Sequence, residues 1–238
     1  MRYWTDTRRH GRRYAAGRPL ILVEAAVETL DSALAAERAG ADRIELCNNL
    51  NDGGTTPGAE LIAAVAEQTR LPVFVLIRPR AGDFIYSDDE FDQMIRDIEL
   101  SGRMGIAGIV TGALTSDGRV DVEHTRTLVK AAAGLPVTFH RAIDSAIDLS
   151  DALDEVIEAG ASRVLTSGGA VAAVDGLDVI AGLVGQARER ITVIAGGGIR
   201  EHNVRDVIAR TGVREVHARL VDEGQMRGLV DVVRKIGR

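Results

Sequence analysis

Lysine is nearly missing from this chain: Lys130 and Lys235 are the only two in 238 residues. Both fall in stretches with helical periodicity, away from any strand end. A Schiff-base mechanism, which needs a strand lysine, is thereby excluded. Cysteine is scarcer still. Cys47 stands alone, so the chain can form no internal disulfide and no cysteine-based zinc site, and its composition suits a reducing cytoplasm. Aromatic residues make up only 3%. The core must therefore be built from Ala, Val, Ile and Leu, which suits parallel strands buried on both faces. No apolar run approaches the roughly 18 residues of a membrane span. The Arg8-Arg9 and Arg12-Arg13 pairs have no hydrophobic segment behind them, so the start of the chain does not read as an export signal.

What is present is enough hydrophobic residue, 45%, for a full core. A length of 238 residues is typical of one α/β barrel, for which roughly 250 is usual. The net charge of −6 hides a split: residues 1–18 carry six Arg against one Asp. We expect those residues to be a disordered basic extension and 19–238 to be the folded domain. The acidic remainder argues against a nucleic-acid surface.

One phrase recurs four times: the end of a helical pattern, then Gly, then a short strand. It opens at Gly40, Gly105, Gly160 and Gly212, each placed to give a helix a left-handed cap. Between these copies lie Leu71-Pro72-Val73, Leu135-Pro136-Val137 and Ile191-Thr192-Val193. Strands are expected to begin near residues 20, 42, 72, 106, 136, 162, 191 and 214. Helical patterns fill the gaps at 30–38, 59–68, 89–101, 122–132, 151–158, 177–188, 204–210 and 226–236. Eight alternations of strand and helix make an α/β protein of a single domain, a (β/α)8 barrel of the TIM type. The repeat also implies a register. Ile44, Ile109, Val164 and Val216 should face the helices. Arg43, Gly108, Arg163 and Glu215 should point inward near the bottom as a salt-bridged layer, with Glu45, Val110, Leu165 and His217 above them.

Barrel enzymes work at the carboxyl ends of their strands. Read in order, those ends are Glu24, Glu45, Arg78, Thr111, His140, Thr166 and His217. Titratable groups gathered at one end mark a site. Glu24, Glu45, His140 and His217 are the candidate acid–base residues, the histidines because their ordinary pKa lies near 6.5. The same four could hold a borderline divalent ion. Thr166-Ser167-Gly168-Gly169 and Gly196-Gly197-Gly198 could present bare N–H groups to an anion such as phosphate. Arg78 and Arg80 could clamp an anion by paired bonds. Candidate substrate-binding residues are thus Arg78, Arg80, Asp144, Thr166, Ser167, Gly168, Gly197 and Gly198. His140, Arg141 and Asp144 also form an abrupt polar end to Val137-Thr138-Phe139, for which a loop-closing ion pair is the plainer reading. His140 is the catalytic candidate there and Arg141 the structural one.

Several unusual words in fixed order resemble the CutC-like copper homeostasis proteins. They are Ile44-Glu45-Leu46-Cys47-Asn48-Asn49-Leu50 with Gly53-Gly54-Thr55-Thr56-Pro57, then Ile77-Arg78-Pro79-Arg80-Ala81-Gly82-Asp83-Phe84 and Thr111-Gly112-Ala113-Leu114. Thr138-Phe139-His140-Arg141-Ala142-Ile143-Asp144 and Arg163-Val164-Leu165-Thr166-Ser167-Gly168-Gly169 complete the set. The resemblance runs from about residue 20 to 217. It implies a cytoplasmic, often oligomeric TIM-type barrel that binds copper(I), with Cys47 as a ligand matching the second of the family's two cysteines. The first position here is Ala26, and no methionine stands at a strand end.

Two functions follow. The resemblance implies a copper-binding homeostasis protein, a homo-oligomer with no nucleic-acid or membrane partner. The residues themselves suit an acid–base or metal-assisted enzyme of the lyase, isomerase or hydrolase type, acting on a small anionic or phosphorylated substrate. A barrel that acts only through partners is the third possibility.

Overall fold

The computed structural model describes residues 21–236; the basic extension expected at 1–18 lies outside them. Eight strands close into a barrel in chain order, every neighbouring pair parallel. They are β1 (Leu22–Val27), β2 (Arg43–Leu46), β3 (Val73–Leu76), β4 (Gly108–Thr111), β5 (Val137–Phe139), β6 (Arg163–Thr166), β7 (Thr192–Ala195) and β8 (Glu215–Arg219). The helices that alternate with them are α1 (Leu30–Ala39), α2 (Ala59–Gln68), α3 (Asp88–Gly102), α4 (Val122–Ala131), α5 (Leu149–Ala159), α6 (Leu177–Ala187), α7 (Val204–Thr211) and α8 (Glu223–Ile236). The single-domain (β/α)8 architecture expected from the repeat is the one observed.

Local chemistry explains the boundaries. Thr29 and Ser87 start α1 and α3 with reciprocal capping boxes, and the Asp121 and Asp148 side chains cap α4 and α5. Gly40, Gly160 and Gly212 end their helices in the left-handed conformation at φ of 87°, 92° and 74°. The fourth copy differs. Helix α3 ends at Arg103 in a right-handed conformation, and Gly105, at φ 78°, turns the chain two residues later.

Apolar side chains divide into two bodies, as the pleat of a closed barrel requires. Val23, Ala25, Ile44, Val75, Ile109, Val164 and Val216 face outward into the layer between sheet and helices. Cys47, Phe74, Leu76 and Val110 form a separate cluster inside. The inward layer near the bottom is only partly the expected salt-bridged one. Arg43 donates to Glu215 at 2.5 Å and pairs with Glu24. Arg163 has no acidic partner: its Nε donates to the Thr138 hydroxyl at 3.2 Å, and its guanidinium lies 4.2 Å from the centre of the Phe74 ring. Arg43 lies 5.0 Å from the same ring, so one aromatic ring serves two cations where a layer held by salt bridges alone was expected.

Gly108 makes room for that ring. A Cβ at position 108 would lie 2.1 Å from Phe74 Cε1. Gly108→Ala is therefore expected to cost about 1–3 kcal/mol by overpacking. A urea denaturation midpoint equal to that of the parent chain would contradict this account.

Candidate functional site

Pairing of β1 with both β2 and β8 sets Glu24 beside Arg43 and His217, and Ala26 beside Glu45. Three candidate residues thereby converge. His217 Nδ1 lies 2.7 Å from Glu24 Oε1 and 3.3 Å from Glu45 Oε2. One ligand atom from each of the three residues lies within 4.8 Å of the others. The Cys47 thiol, one inward step beyond Glu45, donates to Glu45 Oε1 at 3.3 Å. Ala26 is buried and brings no donor atom.

The electrostatics of this cluster follow from its neighbours. Burial works to raise the pKa of Glu24, but Arg43 and His217 outweigh it and hold the carboxyl well below the usual range. At Glu45 the balance goes the other way: burial, reinforced by the Glu24 charge, outweighs the pull of His217, Cys47 and Arg43 and raises its pKa. Burial pulls His217 down, yet Glu45 and Glu24 together push it up. Burial, then Glu45, pushes the Cys47 thiol well up, so Cys47 holds its proton at neutral pH. Glu45 Oε2 is buried and has no hydrogen-bond partner among the described residues. Buried polar atoms are seldom left so.

His140 stands apart from this group. It follows β5, its Nδ1 accepts the Ala142 N–H at 3.2 Å, and the neutral ring therefore carries its proton on Nε2. Burial and the Arg78 charge push its pKa down to about 3. The proton exchange near neutral pH expected from its ordinary pKa is not available to it. The Arg78 guanidinium donates through Nη1 to the Asp52 and Gly54 carbonyls and through Nη2 to that of Gly82. It thus ties together the loops after β2 and β3. Arg80 is engaged by Glu90, Asp83 and the Ile85 carbonyl. Neither arginine offers the open two-pronged face that would clamp an anion.

The loop after β6 already holds an anion of its own. Asp144 accepts from the Thr166 hydroxyl at 2.5 Å and from the Ser167 and Gly169 N–H groups at 3.0 and 3.1 Å. Arg141 Nε donates to it at 2.8 Å, and Arg141 Nη2 donates to the Ser167 hydroxyl. The Gly168 N–H goes to the Thr166 hydroxyl. The Ser167, Gly168 and Gly169 N–H groups, read from the sequence as part of a phosphate cradle, are thus occupied from within, and Arg141–Asp144 is the loop-closing ion pair. Gly197 and Gly198 turn away from β7 with φ of 102° and 68°. A Cβ at Gly197 would lie 3.1 Å from Ser167 Cβ, so the two loops touch there.

Sequence reasoning missed Phe84. It lies 5.0 Å, ring to ring, from His140 and 4.8 Å from the Arg78 guanidinium carbon. An aromatic directly after Gly82-Asp83 in the loop following a strand-end arginine, in a chain with so few aromatics, was the available signal.

Glu24 and His217, read from the sequence as strand ends, are the third residues of β1 and β8, because both strands run on past them. A parallel barrel that gathers two carboxylates, an imidazole and a thiol on the inner side of β1, β2 and β8 defines a class: TIM-type barrels with a buried polar cluster. The model of the CutC family matches residues 21–221, and the chain belongs to that family. It is 47% identical over 196 residues to a CutC family protein of Xanthomonas axonopodis pv. citri, with 82% of each chain covered. It is 46% identical to the human copper homeostasis protein cutC homolog, covering 82% of this chain and 72% of that one. The crystal structure of CutC from Streptococcus agalactiae superposes with a TM-score of 0.79 at 33% identity, covering 83% of this chain and 98% of that one. Thiamine phosphate pyrophosphorylase from Pyrococcus furiosus, at 17% identity and a TM-score of 0.63, shares the barrel alone. Among the described residues, no helix is long and apolar enough to cross a membrane.

The position of His140 has a consequence for stability. Its pKa falls from 6.5 to about 3 on folding, so between those values the unfolded chain binds a proton that the folded one refuses. Stability therefore drops as the pH falls through that window, by at most about 1.4 kcal/mol per pH unit. His140→Phe should lose about 1–2 kcal/mol less than the parent chain between pH 7 and pH 5. Chemical denaturation at the two pH values measures this, and equal losses in both proteins would refute it.

Proposed function

We propose that this protein acts in cytoplasmic copper homeostasis by binding a copper ion among Glu45, Cys47 and His217, with Glu24 holding His217 in place. The observation that carries the reading is the buried Glu45 Oε2, without a hydrogen-bond partner and 3.3 Å from His217 Nδ1. A metal ion would satisfy that atom. The family supplies the choice of metal, since the human relative is named for copper homeostasis.

The donor set bears on the oxidation state. Two thiolates would favour copper(I), but position 26 is Ala and Cys47 is the only thiol. Carboxylate and imidazole donors suit a borderline divalent ion, and copper(II) heads the order of affinity for such sites. The reading is therefore of a copper(II) site, with Cys47 as an additional donor once its proton is displaced. Binding must release protons from His217 and Cys47, so affinity should rise with pH.

Titration of chelator-treated protein with copper(II) and copper(I), each against a competing ligand, tests this. Copper(II) is expected to bind with one-to-one stoichiometry. His217→Ala or Glu45→Gln should weaken it by at least about 100-fold, the upper end of what loss of an outer-shell partner costs. Affinity unchanged in both variants would remove the site. Tight copper(I) binding abolished by Cys47→Ala, with no copper(II) binding, would overturn the assigned oxidation state.

A further inference from the structure

A second group of unpartnered polar atoms lies across the mouth from the copper site. His140 Nε2 and Arg78 Nε are both buried without a hydrogen-bond partner among the described residues. Both residues are more than nine-tenths buried, at 6% and 4% exposure. The other polar atoms of these two side chains are committed: His140 Nδ1 to the Ala142 N–H, and Arg78 Nη1 and Nη2 to the carbonyls of Asp52, Gly54 and Gly82. Each residue is therefore fixed in orientation and keeps one nitrogen whose N–H is unused, Nε2 of His140 and Nε of Arg78. An unmade bond to a buried donor is unfavourable, and the two side chains that carry these donors lie against the same object.

That object is the Phe84 ring, 4.8 Å from the Arg78 guanidinium carbon and 5.0 Å from the His140 ring. Phe84 belongs to the loop between β3 and α3, is itself only half-buried, and is anchored by its carbonyl, which accepts the Leu114 N–H at 2.9 Å. Its backbone can stay in place while its side chain swings. A π face is a weak acceptor beside a carboxylate. Any group that displaced the ring and brought two acceptor oxygens would gain two bonds, one of them charge-assisted.

We propose that Phe84 is the displaceable cover of a carboxylate-binding site formed by the Arg78 Nε–H and the His140 Nε2–H. Both groups only donate, so the ligand must only accept. Two donors match the two oxygens of a carboxylate and would leave a phosphate under-bonded. The site shares no residue with the Glu24, Glu45, Cys47 and His217 cluster, and its test is run without metal, so its failure leaves the copper reading standing.

The experiment uses the full-length, chelator-treated chain labelled with ¹⁵N, titrated with acetate while the His140 Nε2–H resonance is followed. A saturable shift is expected in the parent chain. Phe84→Ala should bind acetate about tenfold more tightly, because the fraction of molecules with an open site rises. His140→Phe should abolish acetate binding measured by calorimetry. Arg78→Lys, which keeps the charge but loses the Nε–H, should weaken it and serves as the second variant if His140→Phe does not fold. No saturable shift in Phe84→Ala would overturn the proposal and leave ordered water as the partner of these donors. Acetate affinity unchanged in His140→Phe or Arg78→Lys, or phosphate bound more tightly than acetate, would overturn it equally.

Discussion

The interior of this barrel depends on one buried guanidinium. Arg43 bridges Glu24 of β1 and Glu215 of β8, and it lies against Phe74 of β3. Without it, Glu215 would lose its ion-pair partner and Glu24 would keep only His217, a loss of about 3–5 kcal/mol for a broken buried pair. The same cation keeps Glu24 ionised. Ionised Glu24 in turn helps raise His217 and adds to the upward shift of Glu45. The protonation of the mouth is thus set one layer below it. Phe74 extends the arrangement to Arg163, whose pKa burial and the Arg43 charge push down to about 10.

Above that layer the mouth has two unlike sides. Around β8, β1 and β2 it is rich in acceptors, with Glu24 and Glu45 facing His217 and the Cys47 thiol. Around β3 and β5 it presents donors, Arg78 and His140. The inward Phe74, Leu76 and Val110 of β3 and β4 stand between and cluster with Cys47. Such a division suits a site that handles a cation on one side and an anion on the other, each kept from neutralising the other's partners.

Much of this was legible in the residues. The glycine-then-strand phrase implied eight strands, and they begin one to two residues later than expected because each strand needs a further residue to enter the sheet. Inward and outward facing followed from alternation alone, and Arg43, Glu45, Glu215 and His217 all sit where that rule puts them. Partner choice was not legible. Arg163 looked like a salt-bridge member, but its neighbour across the barrel is an aromatic ring. Asp144 looked like a ligand-binding residue, but it fills the N–H groups of the loop after β6. Glycine-rich turns announce free N–H groups, and a sequence does not reveal that a carboxylate 23 and 25 residues earlier already occupies two of them.

The sequence by itself determined the barrel, its register and the inward facing of Arg43, Glu45, Glu215 and His217, because these follow from periodicity and from glycine at helix ends. Only the tertiary structure decided which groups meet. Glu24 and His217 are 193 residues apart and touch because closure of the barrel pairs its first strand with its last. It also decided the proton inventory: His140 is neutral and His217 raised because the first is buried beside a guanidinium and the second between two carboxylates. Two histidines with the same intrinsic chemistry are separated by nothing but their surroundings.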